Sequence, residues 1–101
     1  MAKTAAWRLV DYVDQNLELN LSVQELAAVV GMGRRQFYRY FPQTFGMTPH
    51  KYVLLRRVIK AQQWLVEQRP AAEIAHALGF ANHAHFCKYR THIGGGPSVA
   101  S

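Results

Sequence analysis

The apolar positions of this chain repeat. Leu26, Ala27 and Val30 stand at helical spacing ahead of Gly31, and Ile74, Ala75 and Leu78 stand in the same way ahead of Gly79, 48 residues further on. Glu25 and Glu73, Gly46 and Gly94, and Pro49 and Pro97 fall at the same offset. Each copy, residues 22–49 and 70–97, reads as a short apolar helix, a glycine turn and an aromatic-rich helix carrying basic side chains. A helix pair with a short glycine-containing turn is the unit that sets its second helix in a DNA groove. A repeat of this kind governs every later assignment.

The same pattern predicts the remaining elements. Trp7, Val10, Val13 and Leu17 predict a helix over 5–16, with Asp11, Asp14 and Gln15 on its other faces and Trp7 as a core anchor. Ser22 is placed as an N-cap, with Glu25 completing a capping box by returning to the Ser22 N–H, and Leu21 and Leu26 hold the staple positions. Gly31 takes a turn in which positive φ is cheap. From about residue 34 a third helix buries Phe37, Phe41 and Phe45 and projects Arg35, Tyr38 and Arg39 from its other side. Pro42 removes the bond to the Tyr38 carbonyl, which predicts a kink or an early stop with 43–45 as a separate turn.

Thr48 caps a fourth helix, Pro49 opens it, and it runs to about residue 68, roughly 30 Å. Tyr52, Leu55, Ile59 and Leu65 form its expected buried stripe, and Trp64 fits either half. Pro70 opens the second unit without a side-chain cap. Asn82 caps a sixth helix with Phe86 and Tyr89 inward, Ala84, Cys87, Lys88 and Thr91 outward, and His83 on the flank. Gly94, Gly95 and Gly96 predict a frayed tail.

Charge narrows the function. The net charge is +6, and between Leu26 and Val66 there is no Asp or Glu, while Arg34, Arg35, Arg39, Lys51, Arg56, Arg57 and Lys60 all fall there. A solvated face would mix its signs, so an anionic partner is expected. The single cysteine, Cys87, excludes an internal disulfide and fits a reducing compartment. No stretch approaches a membrane span in length, and 1–9 lacks the apolar core of a signal peptide. A soluble, cytoplasmic protein without membrane partners is expected. An enzyme is not, since no glycine-rich phosphate loop or Ser/His/Asp arrangement is present. His83, His85 and Cys87 lack an evident fourth ligand, so no metal or cofactor is expected.

The residues S-x-x-E-L-A, G-M-x-x-x-x-F-x-R-x-F, F-G-M-T-P, A-E-I-A-x-x-L-G-F and H-F, in this order over about 7–97, resemble the AraC/XylS family of bacterial transcription regulators. The resemblance implies an all-α, double helix-turn-helix domain of homeodomain-like three-helix units. Its parts are a first subdomain over 1–48, a linker helix over 49–68 and a second subdomain over 69–101. It implies two recognition helices in successive major grooves of double-stranded DNA, at the bacterial nucleoid. It further implies a sequence-specific regulator, usually an activator, with RNA polymerase as the suggested protein partner. The family's base-reading positions fall on Arg35, Tyr38 and Arg39 in the first unit and on His83, Ala84, Cys87 and Lys88 in the second. Arg34 and Asn82 lie beside them, at phosphate positions. Gly33 stands where the family has a Ser cap, and Gly95 and Gly96 replace an apolar residue and a Ser/Thr. These departures leave an alternative, a protein-interaction module of the same fold that has lost specific DNA readout.

Overall fold

A computed structural model of the chain describes residues 1–79. Five helices follow one another there: α1 (Lys3–Gln15), α2 (Val23–Val29), α3 (Arg34–Phe45), α4 (Pro49–Val66) and α5 (Ala71–Ala77). The fold is all-α, as the pattern predicts, with no strand among the described residues. The chain divides into two compact units between Leu54 and Leu55, inside α4.

The repeat is visible in the backbone. α2 and α5 begin and end at the same 48-residue offset, and their turn glycines, Gly31 and Gly79, have φ of 67° and 81°. Leu26 and Ala27 in α2, and Ile74 and Ala75 in α5, are all buried. α2 ends in a Schellman motif, in which the Met32 N–H donates to the Ala27 carbonyl and the Gly31 N–H to the Ala28 carbonyl.

In the first unit α1 packs on α2 and α2 on α3. The Ser22 hydroxyl accepts from the Glu25 N–H at 3.1 Å, the expected cap. The return half of the capping box does not form. Instead the Glu25 carboxylate accepts a hydrogen bond from the Tyr12 hydroxyl, tying α2 to α1. A tertiary donor thus takes the acceptor that the local motif would have used. This hydrogen bond, with burial and the carboxylate's charge, raises the Tyr12 pKa above its ordinary value. The folded chain therefore holds this proton more tightly than the unfolded chain. The contribution is complete below about pH 10, the unfolded value, and is lost as pH rises through the higher folded one. Tyr12→Phe is expected to lower the melting temperature at neutral pH, with the gap to the wild type closing in alkali. A gap independent of pH would mean that the hydroxyl contributes by packing alone.

The core stripe of α1 differs from the expected one. Leu9, Val13 and Leu17 are buried, at i, i+4 and i+8, whereas Trp7 is 62% exposed and no core anchor. Trp7 lies six residues from Val13, about 240° around a helix, so the two could not share a face.

α4 begins as predicted, with the Lys51 N–H donating to Thr48 Oγ1 at 3.2 Å. Its buried residues are Tyr52 and Val53 in the first unit and Val58, Ala61 and Trp64 in the second. The expected Leu55, Ile59 and Leu65 are half-buried. A helix shared by two compact units need not keep one stripe along its length. Trp64 lies within the second unit, with Arg69 Cζ 4.4 Å and Lys60 Nζ 5.8 Å from its ring centroid.

The helix ends at Val66, and Gln68 follows in the left-handed region with φ 67°. The Arg69 N–H bonds to the Trp64 carbonyl and the Gln68 N–H to the Leu65 carbonyl, a second Schellman motif whose left-handed position is not glycine. A left-handed side chain costs about 1–2 kcal/mol, partly offset by the extra unfolded-state entropy a glycine would bring. Gln68→Gly is expected to stabilise the chain by roughly 0.5–1 kcal/mol in urea titration. A loss of stability would show that the glutamine side chain makes a contact worth more than the strain.

Candidate nucleic-acid interface

α3 is held from one side. Phe37 and Phe41 are buried, and Phe45 is half-buried. Phe41 stacks on Phe45 with centroids 4.3 Å apart, and meets Phe37 at 5.2 Å and Tyr52 edge-on at 5.7 Å. This anchoring fixes the rotation of the helix, and so which side chains face water.

The helix runs unbroken through Pro42 to Phe45, contrary to the expected kink or early stop. The lost bond to the Tyr38 carbonyl is tolerated because Phe41 and Phe45, on either side of Pro42, are both fixed in the same aromatic cluster. Gly46 then closes the helix at φ 77°, its N–H donating to the Pro42 carbonyl at 2.8 Å.

Arg34, Arg35, Gln36, Arg39 and Gln43 are exposed on α3, and Tyr38 is 47% exposed. At about 100° per residue, Arg39 lies some 160° from Phe41, Arg35 about 120° and Tyr38 only about 60°. Arg35 and Arg39 therefore stand on the outer face, and Tyr38 on its flank. Two guanidinium groups lie over neighbouring rings. Arg34 Cζ is 5.8 Å from the Tyr38 centroid, and Arg39 Cζ is 5.5 Å from that of Tyr40. A cation–π contact of this kind leaves the guanidinium N–H groups able to donate. Gly33, Arg35, Gln36, Arg39 and Tyr40 line a shallow depression on this face.

The start of α3 is electrostatically unusual. Gly33 supplies no side-chain cap, no acidic residue lies in the first turn, and Arg34 and Arg35 are the first two helical residues. Cations at the positive end of a helix dipole cost about 0.3–1 kcal/mol each. A phosphate there would meet open backbone N–H groups and two guanidinium groups together.

The sequence-predicted Arg34, Arg35, Tyr38 and Arg39 thus lie together on one helix. Asn82, His83, Ala84, Cys87 and Lys88 lie outside the described residues, as do the sixth helix, the His83/His85/Cys87 group and the glycine tail. Sequence reasoning passed over Gln36, Tyr40 and Gln43, although the same angular count from Phe41 would have placed Gln43 beside Arg39. In the second unit, Arg57 packs beside the turn, its Nη1 3.6 Å from where a Cβ on Gly79 would lie. Burial lowers the pKa of this guanidinium. Among the described residues no group of His, Cys, Asp and Glu could hold a metal ion. No helix among them is long and apolar enough to cross a membrane.

A family model described as a helix-turn-helix domain matches residues 26–99. The probable transcriptional regulator LumQ of Photobacterium leiognathi is 39% identical over 80 residues, which are 77% of this chain and 32% of LumQ. The chain thus spans about a third of the length of that relative. A crystal structure of an AraC-type transcriptional regulator from Chromobacterium violaceum superposes with a TM-score of 0.81 at 34% identity, covering 94% of this chain and 87% of the other. The DNA-binding domain of AdpA, a global transcriptional factor solved in complex with a target DNA, superposes with a TM-score of 0.77 at 26% identity, covering 94% and 86%. With its repeated sequence pattern and its match over most of its length, the chain belongs to the AraC-type helix-turn-helix family of transcription regulators, and not to a family of enzymes.

Proposed function

We propose that the chain is a sequence-specific DNA-binding transcription regulator, with activation as the mode that its family resemblance implies. In this reading α3 enters the major groove, where Arg35, Tyr38 and Arg39 meet base edges and Arg34 meets phosphate. The second unit does the same with His83, Ala84, Cys87 and Lys88, and with Asn82 at the backbone. The subdomains are residues 1–48 and 69–101, joined by a linker over 49–68. Double-stranded DNA at the nucleoid is the ligand, and RNA polymerase is the protein partner. The observation that carries this reading is the arginine face of α3. It is free of acidic residues, turned outward by the Phe37/Phe41 anchor, and carried on a helix pair of the DNA-reading kind.

Gel-shift titration at two salt concentrations against random and site-selected duplexes tests it. Binding that weakens steeply with salt, and that is tighter to a selected site, is expected. Absence of binding at low salt would overturn the reading and leave the fold as a protein-interaction module.

A further inference from the structure

We propose that Gln43 is a further base-reading residue of α3, one that specifies adenine next to the position read by Arg39. The proposal rests on the reading of α3 as a recognition helix. Arg39 and Gln43 lie two residues either side of the buried Phe41, so each points about 160° away from the core, one from each side. They are also i and i+4, and hence neighbours on one face. Gln43 is therefore as well placed outward as Arg39, and better placed than Tyr38.

Its state fits the role. The Gln43 side chain is exposed and makes no hydrogen bond or ion pair with the described residues. Its neighbours offer no competing amide: Thr44 donates back to the Tyr40 carbonyl at 3.4 Å, and Pro42 has neither an N–H nor a polar side chain. The backbone beneath is held by the Phe41/Phe45 stack. A free amide on a fixed helix can pair with adenine N7 and N6, accepting and donating at once. The reach is adequate. Four residues of helix rise about 6 Å, which is close to two base-pair steps of about 3.4 Å. The span from Arg35 to Gln43 is about 12 Å, similar to the length over which homeodomain helices read bases.

The experiment is selection of binding sites from random duplex DNA, run on the chain and on its Gln43→Ala, Gln43→Glu, Arg39→Ala and Gln24→Ala variants. Gln24 is an exposed glutamine of α2 and controls for loss of an amide. Gln43→Ala is expected to flatten one adenine preference about two base pairs from the position flattened by Arg39→Ala. Affinity for the selected site should fall about ten- to a hundredfold, and affinity for random DNA little. Gln43→Glu should shift that position toward cytosine, whose N4 donates to a carboxylate. A motif unchanged in both Gln43 variants, while Arg39→Ala still flattens one position, would overturn the role of Gln43 and leave the recognition helix standing. A uniform loss over all sequences would make Gln43 a phosphate contact and overturn the proposal. Failure of the unsubstituted chain to select any motif would overturn the underlying reading, and the proposal with it.

Discussion

Phe41→Ala is expected to unfold the first unit at ordinary temperature and to abolish DNA binding through loss of structure. Truncating a fully buried phenylalanine costs about 3–5 kcal/mol, combining lost transfer energy with the cavity left behind. A domain of this size has about 0.05–0.15 kcal/mol of stability per residue, so a unit ending at Leu54 holds only a few kcal/mol in all. Phe41 is 1% exposed and touches Phe37, Phe45 and Tyr52, which makes it the centre of the aromatic cluster that carries α3. The cluster cannot collapse into the gap easily, since two of its members sit on the same helix as the lost ring. Circular dichroism and urea titration would show it. Phe41→Leu should cost visibly less, because it keeps most of the volume. A stable, cooperatively folded Phe41→Ala chain would mean that the cluster is not what holds α3.

What could be read before the structure was what local chemistry decides. The lengths of α2 and α5, the Ser22 and Thr48 caps, the turns at Gly31, Gly46 and Gly79 and the Phe37/Phe41 stripe each depend on residues within a few positions of one another. What could not be read was decided by partners distant in sequence. Glu25 has a local acceptor role available, yet Tyr12, thirteen residues back, takes the carboxylate. Pro42 breaks an isolated helix, yet the ring cluster on either side holds this one together. Residues of α4 were assigned to one stripe, although two compact units divide the helix between them. Trp7 is a different case. Its six-residue distance from Val13 was legible, and a count of angles in place of a general sense of helical spacing would have turned it outward. The same count separates Arg39 and Gln43 from Tyr38 on α3. The candidate site was therefore legible in its residue types and in its element, and less so in the rotation of that element.

Arg39→Ala is expected to weaken binding to a selected site by about 1–3 kcal/mol and to relax the preference at one base position. The fold should survive, because an exposed helical arginine away from caps and buried networks usually changes stability by less than about 0.5 kcal/mol. The size follows from geometry. The guanidinium is a planar fork that matches guanine O6 and N7 with two hydrogen bonds, and its Cζ lies 5.5 Å from the Tyr40 ring centroid, a cation–π contact on the exposed face. Salt separates this role from a phosphate contact. A lost phosphate contact lowers affinity for every sequence alike and reduces the slope of log K against log salt by about one. A lost base contact leaves that slope nearly unchanged and removes only the excess affinity for the selected site. Arg34, at the open start of α3 and stacked on Tyr38, should behave in the first way, so the two arginines serve as controls for each other. If Arg39→Ala and Arg34→Ala gave the same uniform loss and the same change in slope, α3 would lie along the DNA backbone without reading the groove. The outward arginine face would then account for affinity without specificity.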